Sequence, residues 1–260
     1  MNKIIVITGA SSGIGQNVAK LFKENNDIVV NLSKHIAKED KYNIKCDVSN
    51  EEMVKKAFEH IKNEYSHIDI LINNAGYGIS GVTELIDLSK AHEQFNVNFF
   101  GALMCTNYAL KIMSAGARIV NISSACAIFP LPYRTLYCAS KSALSMMSKS
   151  MRMELTSAKI DMVAICPGDT KTNFTKNRVK SFETNEKYGN NIVSATQKLD
   201  MREDKRMSPE YVADQIYKIA NKKSTKPEYI IGRKYKLFWL ASRLLPQSLF
   251  NKVLQKLFSK

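Results

Sequence analysis

The chain opens on Lys3-Ile4-Ile5-Val6-Ile7-Thr8, a β-branched run that breaks at Gly9-Ala10-Ser11-Ser12-Gly13-Ile14-Gly15. It then passes into a helical pattern through Val18, Ala19, Leu21 and Phe22. Strand, glycine-rich turn and helix in immediate succession leave few options. The turn carries backbone N–H groups and a helix N-terminus to the carboxyl end of a buried strand, a geometry that receives a pyrophosphate.

The rest of the chain continues the alternation. Hydrophobic periodicity predicts strands near 3–8, 28–32, 43–46, 69–73, 118–122, 160–165 and 228–231, and helices near 13–25, 51–64, 89–113, 135–157 and 208–221. This pattern predicts an α/β fold, a doubly wound parallel sheet covered by helices on both faces, with ligands beyond the carboxyl ends of its strands. At 260 residues the chain suits one domain. Residues 1–225 are expected to be its cofactor-binding and catalytic body and 226–260 its last strand and C-terminal extension. The apolar run Ile4–Ile7 is too short for a signal-peptide core, and no apolar stretch reaches the roughly eighteen residues of a membrane span. The five cysteines lack metal-ligand spacing and read as reduced thiols of a cytoplasmic protein, while His35, His60, His67 and His92 form no cluster. No metal is expected.

The stretch Tyr137-Cys138-Ala139-Ser140-Lys141 sets a phenol four residues from an ammonium, so the two share a helix face. A free tyrosine has a pKa of about 10. A nearby cation favours the phenolate, so Lys141 is expected to lower Tyr137 towards working pH, as a general acid requires. Thirteen residues before Tyr137, Ser124 ends a buried strand, Arg118 to Ile122, that runs into a hydroxyl-bearing loop.

Taken together, the motifs resemble the short-chain dehydrogenase/reductase family, over roughly residues 1–225. Thr8-Gly9-x-x-x-Gly13-x-Gly15 is similar to that family's cofactor turn, Asn73-Asn74-Ala75-Gly76 to its central-strand motif, and Val97-Asn98-x-x-Gly101 to its helix asparagine. Ser124, Tyr137 and Lys141 match its catalytic positions, and Pro167-Gly168-x-x-x-Thr172 its nicotinamide-side loop. The resemblance implies a Rossmann-like sheet and hydride transfer between a nicotinamide and a ketone or secondary alcohol. Tyr137 would protonate the alkoxide, Ser124 would hold the substrate oxygen, Lys141 would hold the nicotinamide ribose, and Asn98 would support a water chain. Cofactor contacts are expected from Gly9, Ser11, Ser12, Gly13, Ile14, Gly15, Asn74, Ala75, Gly76, Tyr137, Lys141, Pro167, Gly168, Thr170 and Thr172. Compared with the family, the span from Lys34 to Asp47 lacks most of one crossover helix.

Cofactor choice turns on the residues after the second strand, where a carboxylate would repel a 2′-phosphate. The chain has Ser33 and Lys34 there, a hydroxyl and an ammonium, which favours NADP(H) over NAD(H). Asp47 and Val48, after the third strand, are expected either to contact adenine or, for Asp47, to cap the helix beginning near Glu51.

The tail departs from the core pattern. Residues 226–260 hold eight basic residues and one acid, so +7 of the chain's net +14. Leu249, Phe250, Val253, Leu254, Leu257 and Phe258 fall on one helix face, opposite Asn251, Lys252, Gln255, Lys256, Ser259 and Lys260. A basic amphipathic helix suits an anionic membrane surface at the cytoplasmic side, or its apolar face packs on the body or a second subunit and covers the substrate mouth. A nucleic-acid partner is not expected, since no recognition motif accompanies the charge. A dimer or tetramer is. The segment Gly232 to Trp239 with Arg243 to Pro246 is similar to the extensions of members acting on steroids and acylated lipid ketones, such as 17β-hydroxysteroid dehydrogenases and acyl-dihydroxyacetone-phosphate reductases. A lipophilic ketone is therefore expected as substrate, touched by Tyr77, Phe129, Leu131, Tyr133, Phe174 and the segment 173–207. Two alternatives stay open: a 3-oxoacyl carrier-protein reductase, whose acidic partner would meet the basic surface, and a non-catalytic, membrane-associated NADP(H)-binding protein.

Overall fold

The computed structural model describes residues 2–258 apart from 37, 39, 173, 175–177 and 189–205. In chain order its elements are β1 (Ile4–Thr8), α1 (Gly13–Glu24), β2 (Ile28–Ser33), β3 (Asn43–Lys45), α2 (Glu51–Tyr65), β4 (Ile70–Asn73), β5 (Ile79–Ser80), α3 (Leu88–Phe95), α4 (Ala102–Leu110), β6 (Arg118–Ile122), α5 (Thr135–Glu154), β7 (Asp161–Pro167), β8 (Val179–Lys180), α6 (Pro209–Ala220), β9 (Glu228–Ile231), α7 (Arg233–Leu244) and α8 (Gln247–Phe258). Among the described residues seven strands form one sheet in the order β3-β2-β1-β4-β6-β7-β9. Every pairing in it is parallel.

The apolar run that opens the chain explains why β1 lies in the middle. All five of its residues are buried, which only a strand covered on both faces achieves. Its pleat sends Ile5 and Ile7 into one core with Phe22 of α1 and Ile216 of α6. Val6 goes into the other with Phe58 of α2 and Cys105 of α4. The strand order reverses between β1 and β4, and the crevice at that reversal is where such sheets bind ligands.

Two elements differ from the pattern expected of the sequence. The helix predicted over 89–113 is interrupted, with α3 passing through a π-helical segment, Asn96–Gly101, into α4. One extra residue in the helical ladder leaves the apolar period nearly intact, which is why periodicity reads the three pieces as one. The two-residue strands β5 and β8 form a small parallel sheet of their own, too short to carry a period. Between β2 and β3 the described residues hold no helix. The turn there is held by the Asp40 carboxylate, which accepts the N–H groups of Tyr42 and Asn43 at 2.8 Å.

The tail adds an edge strand and two helices. β9 pairs with β7, Gly232 turns the chain with φ of +105°, and α7 and α8 cross the mouth of the crevice. The apolar face expected over 247–260 splits into two ridges. Phe250, Leu254 and Phe258, spaced by four, are buried against Phe129, Leu131 and Cys126, with Tyr235 and Phe238 of α7. The neighbouring ridge faces outwards: Leu249 is 48% exposed and Val253 40%. Leu237, Leu240 and Leu244 of α7 are likewise exposed. Ser259 and Lys260 lie outside the described residues. No helix among those described is long and apolar enough to cross a membrane.

Candidate active site

The ends of β1 and β4 are locked together by side-chain amide and hydroxyl groups. Thr8 Oγ1 accepts the backbone N–H groups of Asn74 and Ala75, each at 3.0 Å. In return the Asn74 amide donates to the carbonyls of Thr8 and Gly9 at 3.0 and 3.1 Å. Gly15 is required by this clamp, since a Cβ there would lie 2.5 Å from Asn74 Nδ2 and 2.6 Å from the Gly9 oxygen. Beyond the clamp α1 begins at Ser12, whose side chain makes no capping bond, and no acid occupies the first turn. Its free N–H donors therefore face the cleft lined by Ser11, Ser12, Gly13 and Ile14, which fits the pyrophosphate of a nicotinamide dinucleotide. Gly15 lies behind that lining.

Opposite this turn, β6 ends at Ile122 and the chain bends through Ser123 and Ser124. Ser124 caps the short 3₁₀ turn Ala125–Ala127, its oxygen accepting the Cys126 N–H at 3.2 Å, and its hydroxyl lies beside the Tyr137 phenol, whose pKa it pulls down. One turn further along α5, Lys141 is 4% exposed and its ammonium donates to the Ile122 carbonyl at 2.9 Å. Burial pushes the Lys141 pKa down to about 8. The expected lowering of Tyr137 by Lys141 is not found. Burial holds the phenol above its ordinary value of 10.0, against the opposing pull of the Ser124 hydroxyl and of Arg134 and Arg178. Desolvation outweighs charge here because Lys141 itself points at a backbone carbonyl and is only partly able to keep its proton.

Asn98, in the π-helical segment, is buried and does not line the cleft. Its Oδ1 accepts the Tyr77 N–H at 3.0 Å and its Nδ2 donates to the Tyr77 carbonyl at 2.9 Å and to Ser140 Oγ at 3.1 Å. The amide expected to support a water chain is thus committed to pinning Tyr77 and the Gly76 backbone beside α5.

At the adenosine end, Ser33, Lys34, Asp47 and Val48 line the cleft. Ser33 is buried with its hydroxyl donated to Asn31 Oδ1 at 2.6 Å, so the hydroxyl expected for a phosphate is already engaged. Lys34 pairs with Asp47 at 2.8 Å. Asp47 does not cap α2, a role taken by Asn50, whose side chain accepts the Met53 N–H. Instead Asp47 accepts from Ser49 and Lys34, and those bonds hold its carboxyl below the usual range despite partial burial.

On the nicotinamide and substrate side the cleft, about 450 Å³, is lined by Ala75, Gly76, Pro167, Gly168, Thr170 and Thr172, and by Tyr77, Phe129, Leu131 and Phe174. Phe174 packs on Tyr137 with ring centroids 5.6 Å apart. Tyr133, expected there, lies outside the lining: its φ of +60° turns the chain, and its carbonyl accepts the Gly81 N–H. Most of the segment 173–207 lies outside the described residues. Four further lining residues at this end are not among the expected contacts: Arg134, Arg178, Tyr235 and Phe258. Tyr235 packs so closely on Gly168 that a Cβ there would fall 1.9 Å from its ring, and it stacks on Phe129 with an interplanar angle of 3°. The period-four spacing of Phe250, Leu254 and Phe258 could have pointed to Phe258; the arginines are recognisable only in space.

Comparison with known proteins places this geometry. A family model for short chain dehydrogenase matches residues 3–182. The chain is 35% identical over 230 residues to a 3-ketodihydrosphingosine reductase of Bacteroides thetaiotaomicron, covering 85% of each chain. It superposes on a short-chain dehydrogenase from Streptomyces avermitilis with a TM-score of 0.83 over 97% of this chain and 96% of that one, at 22% identity. It superposes on ElxO with NADP bound with a TM-score of 0.74, at 26% identity, over 91% of this chain and 100% of that one.

The buried ammonium has a measurable consequence. The folded state holds the Lys141 proton less tightly than the unfolded chain, so between pH about 8 and the ordinary 10.5 the unfolded state binds more protons. Below that window the cost of burial is fully present, and across it wild-type stability gains as pH rises. Lys141→Met lacks the gain. Unfolding free energies measured by denaturant from pH 7 to 10 should show wild type rising relative to the variant. A constant difference would mean that the ammonium is not buried in this way.

Proposed function

The chain belongs to the short-chain dehydrogenase family, and from that premise we propose that it is an NADP(H)-dependent reductase of a lipophilic ketone, reversible towards the secondary alcohol. The observation that carries this reading is the meeting of the Ser124 hydroxyl, the Tyr137 phenol and the buried Lys141 ammonium below an apolar wall built by Phe129, Leu131, Phe174, Tyr235 and Phe258. Bound NADP(H) supplies the hydride that adds to the carbonyl carbon. Ser124 holds the carbonyl oxygen, and a fixed donor aimed at developing negative charge contributes most in a water-poor site. Tyr137 donates its proton to the alkoxide oxygen. A phenol is protonated at neutral pH and burial only raises its pKa further, so the resting enzyme presents a proton donor to the ketone. Lys141 stabilises the phenolate left behind, and Asn98 positions the Tyr77 backbone.

Support for NADP(H) comes from Lys34, whose side chain lines the expected adenosine end of the cleft, is 66% exposed and offers an ammonium to a phosphate. The Asp47 carboxylate competes for it. Wild type should therefore prefer NADPH, and Asp47→Asn should raise the NADPH-to-NADH ratio of kcat/KM by about tenfold, an electrostatic effect at a partly exposed pair. Equal values for the two cofactors in wild type would end the choice.

The exposed apolar residues of the tail support peripheral binding to an anionic membrane. Leu237, Leu240, Leu244, Leu249 and Val253 face outwards among Arg233, Lys236, Arg243, Lys252 and Lys256, a pairing of apolar area with positive charge that suits a lipid surface. The inner ridge is part of the active-site wall, so truncation would damage the site itself. Surface variants are the appropriate test. Full-length protein should bind phosphatidylglycerol vesicles and release them at about 0.5 M salt, where charges are screened beyond a few ångströms. Leu244→Gln with Leu249→Gln should abolish binding. If wild type ignores such vesicles, the ridge has another partner.

The catalytic assignment is tested on the phenol. Tyr137→Phe should lower kcat for ketone reduction by at least about 100-fold, the ordinary worth of a general acid, with NADPH affinity within a few-fold of wild type. A variant retaining a tenth or more of kcat would remove Tyr137 as the proton donor.

A further inference from the structure

Three arginines, Arg134, Arg178 and Arg206, line the cleft, none of them in the catalytic set, and the first two act on the Tyr137 phenol. Arg134 sits one residue before α5, held by its backbone N–H bond to Leu131, and its side chain is folded inwards until it is 5% exposed. Its Nε lies wholly out of solvent with no hydrogen-bond partner among the described residues. Buried donors are almost always paired, so an arginine with an unpaired donor in the wall of a cavity has room for a partner that enters the cavity, a water or a ligand. Arg178 arrives from the other side, just before β8. Its stem lies over Gly78, where a Cβ would stand 3.7 Å from Arg178 Cγ and 3.4 Å from the Phe174 ring. Phe174 in turn packs on Tyr137, and Arg178 lines the same cleft, where its charge pulls on the phenol.

The charge balance at this spot is positive. Burial and the charge of Arg134 together push the Arg178 pKa down to about 10, which Tyr137 and Asp169 offset only in part. Asp169 also lines the cleft, beside Tyr235, whose phenol burial and the Asp169 charge push up. One shared acid thus faces two guanidiniums. The remaining wall is apolar, with Phe129, Leu131 and Phe258 opposite.

We propose that Arg134 and Arg178 form an oxyanion-recognition subsite beside Tyr137, so that the substrate is a ketone with an apolar chain and a carboxylate or phosphate close to its carbonyl. Planar guanidiniums bind both oxyanions through paired N–H donors, whereas a neutral ketone leaves these donors unsatisfied. The inference rests on the reductase reading and adds the charge of the substrate to it.

The test uses full-length protein with NADPH and four ketones of one chain length, bearing a methyl, a carboxylate, a phosphate monoester or an ammonium group near the carbonyl. In wild type, kcat/KM for the carboxylate or the phosphate ketone should exceed that of the neutral one by about 100-fold, the discrimination expected of a site whose buried donors need a partner. The faster of the two identifies the oxyanion. Arg134→Met or Arg178→Met should bring the anionic-to-neutral ratio towards one, and Arg134→Lys should recover part of it. Neutral or ammonium ketones turned over as fast as the anionic ones by wild type would overturn the subsite without any variant being needed. Variants that weaken NADPH binding while leaving the ratio unchanged would assign the arginines to the cofactor instead. If none of the four ketones is reduced, the reductase reading fails and this inference with it.

Discussion

An ammonium held away from water, on one backbone carbonyl, is the constraint around which the cleft is arranged. Removing such an ion from water costs several kcal/mol, and a single hydrogen bond offsets only part of that. The fold must therefore deliver a free carbonyl at the right place, and it does so by ending β6 at Ile122, where the chain leaves the sheet and the last oxygen turns to Lys141 Nζ. Ser123 then ties the bend to α5, its hydroxyl donating to the Lys141 carbonyl at 2.9 Å and accepting from Ser145 at 2.8 Å. Ser124 and Tyr137 are brought together by the same bend. A residue this costly to bury is retained for chemistry, because packing alone would be better served by methionine or leucine.

Burial also changes the way the phenol is tuned. A lysine four residues along a helix suggests a cation lowering a tyrosine pKa, and on a solvated helix face that would follow. Inside the protein the same desolvation acts on both groups, pushing the phenol up and the ammonium down. The result is a protonated acid beside a cation that is readily discharged. The tail deepens that environment: Tyr235 rests on Gly168, Phe250 and Phe238 meet Phe129 edge-on, and Phe258 reaches the lining. A segment that looks like an appendage thereby completes the apolar wall of the cleft.

The central architecture was legible because its signals are local. A β-branched run ending at Gly9 dictates both the buried strand and the turn after it, and Tyr137 and Lys141 lie four apart on one helix. What could not be read depends on long-range partners. Lys34 next to Ser33 suggests a phosphate site, but the ion pair with Asp47 forms only when β2 and β3 are side by side. Asn98 reads as a helical asparagine, and the π-helical segment that turns its amide to Tyr77 leaves almost no mark on periodicity. Arg134 and Arg178 are separated by a strand, a helix and a loop, and only the folded chain shows two like charges sharing one cavity.

The claim that burial governs the phenol can be measured directly with protein carrying ¹³Cζ-tyrosine, in which the Tyr137 signal is identified by its loss in Tyr137→Phe. Titrated without cofactor, that signal should show no ionisation up to pH 10, the ordinary tyrosine value. A Tyr137 midpoint at or below pH 8 would mean that Lys141 lowers the phenol after all, and would contradict the control of this acid by desolvation.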